Sequence, residues 1–391
     1  MIPDTDKVRV LHVASFLGNV GDSAMHDGAY RTRREDCPLR FEYTPLEVRE
    51  FFHWKMRRFD EDFVRYLNGF DLSIFGGLAG YQLWRTDTAS GTCFNFGSEL
   101  IEKMTKPVAF YGLGCDASRG IEEGAMVKFR RFIDAAMEKN CLFSLRNDGS
   151  KNILEQAVGT SYIGPMPVIP DGGLFVDPKA VHHQLVSGTK RIVAINLAGC
   201  MPDMRFAAAG GENFSTQKYF VKGMADIVCD LIGSHSDVRV VFVPHIYSDF
   251  DIISQVLGQM SDESRRRHVS VAPYLNGGEN WSEIFDIYRQ AELVIGMRFH
   301  ACAAAIGLGT QVIGVDTHHK ISGLFADLQI DANCISLVEA NWLSRLKRMA
   351  QNVLQASHKD GFNCKETICL RRKQLHDFHQ RLANWYLNSK T

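Results

Sequence analysis

The chain has almost no net charge, no long hydrophobic run and no cysteine pair spaced C-x-x-C. Its 44 Lys+Arg stand against 45 Asp+Glu over 391 residues, a formal charge of -1. A chain so balanced has no global field for a phosphate backbone, which excludes nucleic acid as the main partner. Any anionic ligand must be held by a local site. The longest weakly polar run, 301–315, is broken by Gly307, Gly309, Thr310 and Gln311, and it is shorter than the ~18 residues that a membrane span needs. The opening MIPDTDKVRV has no apolar h-region and no cleavage signal. None of the ten cysteines forms a C-x-x-C, so neither a zinc ribbon nor a redox motif is expected. Cys141, Cys229 and Cys302 lie inside apolar runs, where a reduced thiol acts as a small hydrophobe. The expectation is a reducing, cytoplasmic setting with at most peripheral membrane contact. Fixed-period repeats and low-complexity segments are also missing.

What is present is a rhythm of short β-rich run, glycine-containing turn and helix-length segment. Strands are expected at Val8–Ala14, Asp71–Phe75, Val108–Tyr111 and Leu142–Leu145, and an amphipathic helix at Glu122–Lys139. After a polar stretch at 177–190 the rhythm restarts, with strands at Ile192–Leu197, Val238–Val243, His268–Pro273, Leu293–Met297 and Val312–Val315. Near-continuous apolar strands alternating with helices indicate parallel sheets covered on both faces. The reading is an α/β protein of two Rossmann-like domains, 1–178 and 189–364, followed by a C-terminal helix at 365–391. That helix carries an apolar stripe of Ile368, Leu375, Phe378, Leu382 and Trp385, expected to pack on the protein. Its basic face of Arg371, Arg372, Lys373 and Arg381 leaves room for contact with a membrane surface.

Ligands of open parallel sheets bind beyond the carboxyl ends of the strands, so the polar residues that follow each strand are the candidates. After the first strand comes Gly18-Asn19-Val20-Gly21-Asp22-Ser23, neither a G-x-G-x-x-G nor a Walker loop. Its glycines allow close backbone approach, and its N–H groups at a helix start suit an anion. Gly76 and Gly77 end the second strand, and Arg146 ends another, placed for a carboxylate or phosphate or for an ion pair with Asp148 or Glu155. Asp171 lies near the domain junction, as a general acid or base or a turn cap. In the second half, Asn196 lies within a strand, Arg205 beyond it, and His245 follows Val243-Pro244. Asp249-Phe250-Asp251 spells a D-x-D, read as a helix cap. The run Leu293 to Ala305 delivers Arg298 and His300 into the turn before a helix of very small residues. Arg298 offers a bidentate fork, the helix start adds partial positive charge, and His300 can move a proton near neutral pH. Lys320 adds a cation on the same sheet edge.

The run Val294 to Ala304 followed by Lys320 resembles the hallmark of the polysaccharide pyruvyl transferase family. GNVGD at 18–22, IFGG at 74–77 and SLRNDGS at 144–150 resemble it in order, and VIPD at 168–171 and VPH at 243–245 fit less specifically. The likeness spans about 18 to 325. It implies a fold similar to GT-B glycosyltransferases, with two Rossmann-like domains facing across a cleft. It also implies transfer of a pyruvyl group from phosphoenolpyruvate to two hydroxyls of a saccharide in cell-surface or exopolysaccharide synthesis. Phosphoenolpyruvate is then a co-substrate, no other cofactor and no metal are expected, and the acceptor is a sugar, lipid-linked or not.

Arg298 and His300 match positions the family uses for the donor, and Lys320, Arg205, Asn196 and His245 are the further donor-side candidates. Asn19, Asp22, Gly76, Gly77 and Arg146 are the acceptor-side candidates, and Asp22, Asp171 or His245 are bases for the acceptor. One departure stands out. The family leads one to expect an arginine soon after the first strand of the second domain, where this chain reads Asn196-Leu197-Ala198-Gly199-Cys200. Either Arg205 takes that role, or donor and reaction differ. The competing readings are a nucleotide-sugar glycosyltransferase, with Glu283 as a ribose contact, and a non-catalytic sugar- or nucleotide-binding homologue.

Overall fold

The structure is a computed structural model that describes residues 7–181, 191–207, 216–275, 280–356 and 364–390. The part of the expected interdomain stretch from 182 to 190 lies outside the described residues. The chain divides into two compact units. The first holds the chain up to Leu17, Ala29–Asp171 and the chain from Cys369 onward, and the second holds Gly18–Gly28 and Gly172–Ile368. Thus the division falls at Asp171/Gly172 rather than at 178–189, a short early segment counts with the second unit, and the C-terminal helix counts with the first.

The first unit is a six-stranded parallel sheet. Its strands are β1 (Val8–Ala14), β2 (Phe41–Glu47), β3 (Leu72–Gly76), β4 (Val108–Leu113), β5 (Leu142–Arg146) and β6 (Val168–Ile169), in the order β2-β1-β3-β4-β5-β6. β3 is buried along its whole length, and β1 and β4 nearly so, as strands covered on both faces must be. The core is rich in phenylalanine: Phe75, Phe94, Phe96, Phe110, Phe129 and Phe132 are all fully buried. The helix Lys365–Asn388 lays Leu375, Phe378 and Leu382 inward, so the apolar stripe does pack on the protein. Its Arg372 is engaged by Asp36 and Glu35.

The second unit repeats the architecture with another winding. β7 (Arg191–Asn196), β8 (Val238–Phe242), β9 (Val269–Val271), β10 (Leu293–Gly296), β11 (Gln311–Asp316) and β12 (Cys334–Ser336) pair in parallel in the order β12-β11-β10-β7-β8-β9. Counted from its own first strand this is 3-2-1-4-5-6, whereas the first sheet begins 2-1-3-4-5. Both are doubly wound orders, with switch points at β7/β10 and β1/β3 respectively. At such a point the connections leave in opposite directions and open a crevice at the carboxyl ends. Among the described residues no helix is long and apolar enough to cross a membrane.

Candidate active site

The switch point of the second sheet gathers most of the charged candidates. β10 pairs with β7 in a register that sets Gly296 beside Asn196. The helix Phe299–Gly307 follows, with Arg298 as its N-cap and no cap hydrogen bond from the Arg298 side chain. This helix can lie close to its surroundings because its residues are small. A Cβ on Gly307 would stand 2.1 Å from the Leu174 carbonyl oxygen, and one on Gly296 would stand 2.7 Å from Cys302 Sγ.

Arg298 does not present an open fork. Its Nε donates to Asp249 Oδ2 at 2.8 Å and its Nη2 to Asp249 Oδ1. The aspartate side chain is fully buried, while the arginine keeps 12% of its side-chain surface exposed. Asp249 also accepts the backbone N–H of Gly199 at 3.0 Å, His245 at 2.9 Å and Ile246 at 3.1 Å. The carboxylate of the D-x-D is therefore a hub between the ends of β7 and β8. Burial pushes its pKa up, but Arg298 and these N–H groups hold it below the ordinary carboxylate value, so it stays ionised. The expectation of an arginine standing ready for an external carboxylate is corrected, because an internal one already holds two of its nitrogens.

Arg298 Nη2 also reaches Cys200 Sγ at 3.3 Å. Arg205 approaches the same sulfur at 3.5 Å through its own Nη2, donates through Nε to the Cys200 carbonyl at 2.9 Å and through Nη1 to Thr317 Oγ1 at 2.8 Å. The buried Arg205 is thus brought beside Arg298.

His300 sits one step into the helix and is buried. Its Nδ1 lies 3.4 Å from Asp22 Oδ1. Asp22 was expected on the acceptor side, but the structure puts it in the second unit with His300. The reason lies in glycine. A Cβ on Gly21 would fall 2.8 Å from His300 Cβ and 3.1 Å from His245 Nδ1, and one on Gly28 would fall 2.1 Å from the Gly172 carbonyl oxygen. Only a bare backbone lets the start of helix Val20–Asp36 lie this close. Val20 N–H donates to the His245 carbonyl at 3.0 Å, and the Tyr274 hydroxyl donates to the Gly18 carbonyl at 2.9 Å. Asn19 turns inward on the same segment: its Oδ1 accepts Gly21 N–H at 2.9 Å and its Nδ2 donates to Asp22 at 3.0 Å.

Two donor-side candidates are structural instead. Asn196 is fully buried, donates to the Val243 carbonyl at 2.8 Å and accepts Arg298 N–H at 3.0 Å. It fixes the start of the helix and is not placed to touch a ligand. His245 is also fully buried, with Nε2 and the Tyr288 hydroxyl 2.7 Å apart and its ring on Phe285. Burial, with Arg298 nearby, pushes its pKa down to about 3, so the imidazole is neutral. Lys320 opens the helix Lys320–Asp327 after β11 and is half-buried. Glu283 is exposed in the first turn of helix Trp281–Gln290.

In the first unit Arg146 is closed off. Its Nε and Nη2 meet Asp148 Oδ2 at 2.8 and 2.7 Å, and its Nη1 lies 3.8 Å from Asp171 Oδ2. The internal ion pair, not an acceptor contact, is what the structure forms, since a guanidinium this buried needs a carboxylate. Asp171 N–H donates to Asn147 Oδ1 at 2.9 Å. Gly76 is needed by packing, as its Cβ would stand 2.4 Å from the Tyr111 carbonyl oxygen, and Gly77 by its φ of 74°. The residues that sequence reasoning passed over are Cys200 and Tyr288, together with the partnership of Asp249 and Arg298. A polar residue directly after each strand was the available signal, and Cys200 was masked by its apolar reputation.

The two doubly wound sheets define a GT-B-type α/β protein, with a cationic cluster at the switch point of the second sheet. Solved structures of the same fold include a protein described as a UDP-N-acetylglucosamine 2-epimerase from Listeria monocytogenes (15% identity, 94% of this chain and 91% of that one, TM-score 0.52). A UDP-N-acetylglucosamine 2-epimerase from Methanocaldococcus jannaschii is similar at 10% identity over 92% and 95%, with TM-score 0.52. A UDP-forming trehalose-phosphate synthase from Burkholderia xenovorans is similar at 7% over 99% and 100%, with TM-score 0.53. No curated protein matches the chain in sequence. The sequence profile of the polysaccharide pyruvyl transferase family matches residues 19–319, and the chain belongs to that family.

Proposed function

We propose that the protein transfers a pyruvyl group from phosphoenolpyruvate to two hydroxyls of a saccharide, forming a ketal, in the synthesis of a cell-surface or exopolysaccharide. The observation that carries this reading is the convergence of Arg205 and Arg298 on one point, 3.5 and 3.3 Å from Cys200 Sγ, beside the helix start that bears His300. Two guanidinia and a helix dipole suit a small donor with both carboxylate and phosphate. Membership of the family supports it further.

In the proposed reaction a proton is delivered to the donor's methylene carbon, and positive charge develops at the adjacent carbon. One saccharide hydroxyl adds there, the carbon–oxygen bond to phosphate breaks, and the second hydroxyl closes the ketal. Of the two hydroxyl protons, one replaces the proton delivered and one leaves with phosphate. His300 is the proposed acid, its ring oriented by Asp22 in the way a carboxylate orients a catalytic imidazole. Arg205 and Arg298 hold the donor, and Lys320 is a further donor contact. The scheme uses no cofactor beyond the co-substrate.

A thermal-shift comparison tests the donor. Phosphoenolpyruvate is expected to raise the melting temperature and UDP-N-acetylglucosamine to leave it unchanged; the reverse would favour a nucleotide-sugar enzyme. His300→Ala is expected to abolish saccharide-dependent phosphate release with an unchanged melting curve. Substantial residual turnover would remove His300 from the mechanism.

A further inference from the structure

Cys200 takes no part in the reaction just described, yet it stands at the centre of the cationic cluster. Two guanidinia carried by different elements, the helix Pro202–Ala207 and the cap of helix Phe299–Gly307, reach the same sulfur at 3.5 and 3.3 Å. The carboxylate paired with this cluster is Asp249, and it contacts Arg298. Among the described residues the cluster thus holds two cations against one anion, and a partly buried excess of positive charge calls for another anion. Cys200 is half-buried, so small molecules can reach it. Burial opposes its ionisation, but Arg298 and Arg205 outweigh burial and hold the thiol below its usual pKa. The contrast with other cysteines is sharp: burial pushes Cys93, Cys141, Cys302 and Cys334 upward.

We propose that Cys200 is a modification site and the internal counter-anion of the two-arginine cluster, open to electrophiles when the cluster is empty and shielded when a small phosphate- or carboxylate-bearing anion occupies the guanidinia. With a hydroperoxide, the sulfur forms an S–O bond as the O–O bond breaks. The sulfur is oxidised by two electrons, the departing oxygen takes up a proton, and a sulfenic acid remains. With iodoacetamide, an S–C bond forms, the C–I bond breaks, iodide leaves and the thiol proton passes to solvent. In each case the arginines lose the free sulfur and gain a bulky neighbour, which weakens anion binding.

The test labels the full chain with iodoacetamide at neutral pH and reads the rate at each cysteine by peptide mass spectrometry. Exposed Cys369 is the internal reference. Cys200 is expected to label about tenfold faster than Cys369 although it is less accessible. Inorganic phosphate is expected to slow Cys200 severalfold and leave Cys369 unchanged, and Arg205→Ala to slow Cys200 as well. Labelling at Cys200 no faster than at Cys369, or a rate that phosphate does not alter, would overturn the proposal. A parallel arm with phosphoenolpyruvate rests on the pyruvyl-transfer reading. Calorimetry that finds no binding of phosphoenolpyruvate refutes that reading, while the rate comparison and the phosphate arm still decide the case of Cys200.

Discussion

Each unit places an arginine at or just past the end of an interior strand and an aspartate against it, but among the contacts of the described residues the two clusters carry opposite imbalances. In the first unit one guanidinium, Arg146, faces two carboxylates, Asp148 and Asp171. In the second, two guanidinia, Arg298 and Arg205, are grouped with one carboxylate, Asp249. The Arg146 side chain is 5% exposed, and Gly114 is bare because a Cβ there would stand 2.6 Å from Arg146 Nη2. Arg298 keeps a margin of exposure. The same local device, an arginine after a strand, therefore makes a sealed structural clamp in one sheet and a cationic, partly open site in the other. The choice is made by neighbours distant in sequence.

The largest effects come from removing the carboxylates. Asp249→Ala leaves a buried guanidinium without the carboxylate that pairs with it among the described residues, a loss of about 3–5 kcal/mol. Asp148→Ala leaves Arg146 with Asp171 3.8 Å away, so its loss falls at the lower end of the same range, about 3 kcal/mol. Urea unfolding of the two variants measures the difference, and an equal or reversed order would break the comparison. Lysine tests separate the roles next. Lys keeps the charge but not the fork. Arg298→Lys is expected to cut kcat/KM by about 10²–10³-fold, the scale for one lost transition-state donor, with a small change in melting temperature. Arg146→Lys is expected to lower the melting temperature and spare the turnover of the folded fraction.

The charge balance of these clusters was not legible in the sequence, although much of their scaffold was. Nine strands were expected, and each has a counterpart within a residue or two at its start. The three that were not, β2, β6 and β12, all lie at sheet edges. An edge strand needs no continuous apolar run. β2 alternates exposed and half-buried residues and carries Pro45, which an edge tolerates; β6 is two residues long. β9, the remaining edge, is shorter than the expected His268–Pro273. Arg298, Arg205 and His300 were found because they follow strands or precede a helix. The joining of Gly18–Gly28 to the second unit was hidden, since nothing local announces that Gly21 lies against two histidines more than two hundred residues away. Asp249 looked like a helix cap, but it is the first residue of helix Asp249–Gly258, its carboxylate accepts N–H groups from before that helix, and its partner Arg298 lies on another element.

Gly21 gives an effect of intermediate size that probes this joining. Gly21→Ala gains helix propensity but sets a methyl against His300 and His245, with a net cost of about 1–3 kcal/mol. Turnover is expected to fall as well, because the methyl displaces the ring of His300. Gly233, late in the helix Gln217–Ser234, has nothing within 4 Å of a built Cβ. Gly233→Ala is therefore expected to stabilise by up to about 1 kcal/mol. A stabilised, fully active Gly21→Ala would show that the start of helix Val20–Asp36 is not held against the site.

A pH dependence sets one buried histidine in each unit against the other. His245 in the second unit meets the Tyr288 hydroxyl, and His379 in the first meets the Tyr111 hydroxyl through Nε2 at 2.7 Å and Asp36 through Nδ1 at 2.8 Å. Burial pushes both down, His245 to about 3 and His379 to about 4. Each lies below the ordinary 6.5 of an unfolded histidine, so between that value and the folded one the unfolded chain binds more protons. Stability is full above about 6.5 and is lost as pH falls toward 4. Asp36 adds to the slope only below about pH 5, where the unfolded carboxyl begins to take up its proton. Burial raises its pKa, but His379, Arg372 and His376 outweigh burial and hold it below the ordinary carboxylate value, so its contribution persists until lower pH. Of the two imidazoles His379 should take up its proton first on acidification, because it has a carboxylate at Nδ1 and His245 has none. Histidine NMR signals read against urea midpoints at successive pH values check this. Protonation of His245 before His379 would mean that the carboxylate at Asp36 does less for its histidine than burial alone accounts for.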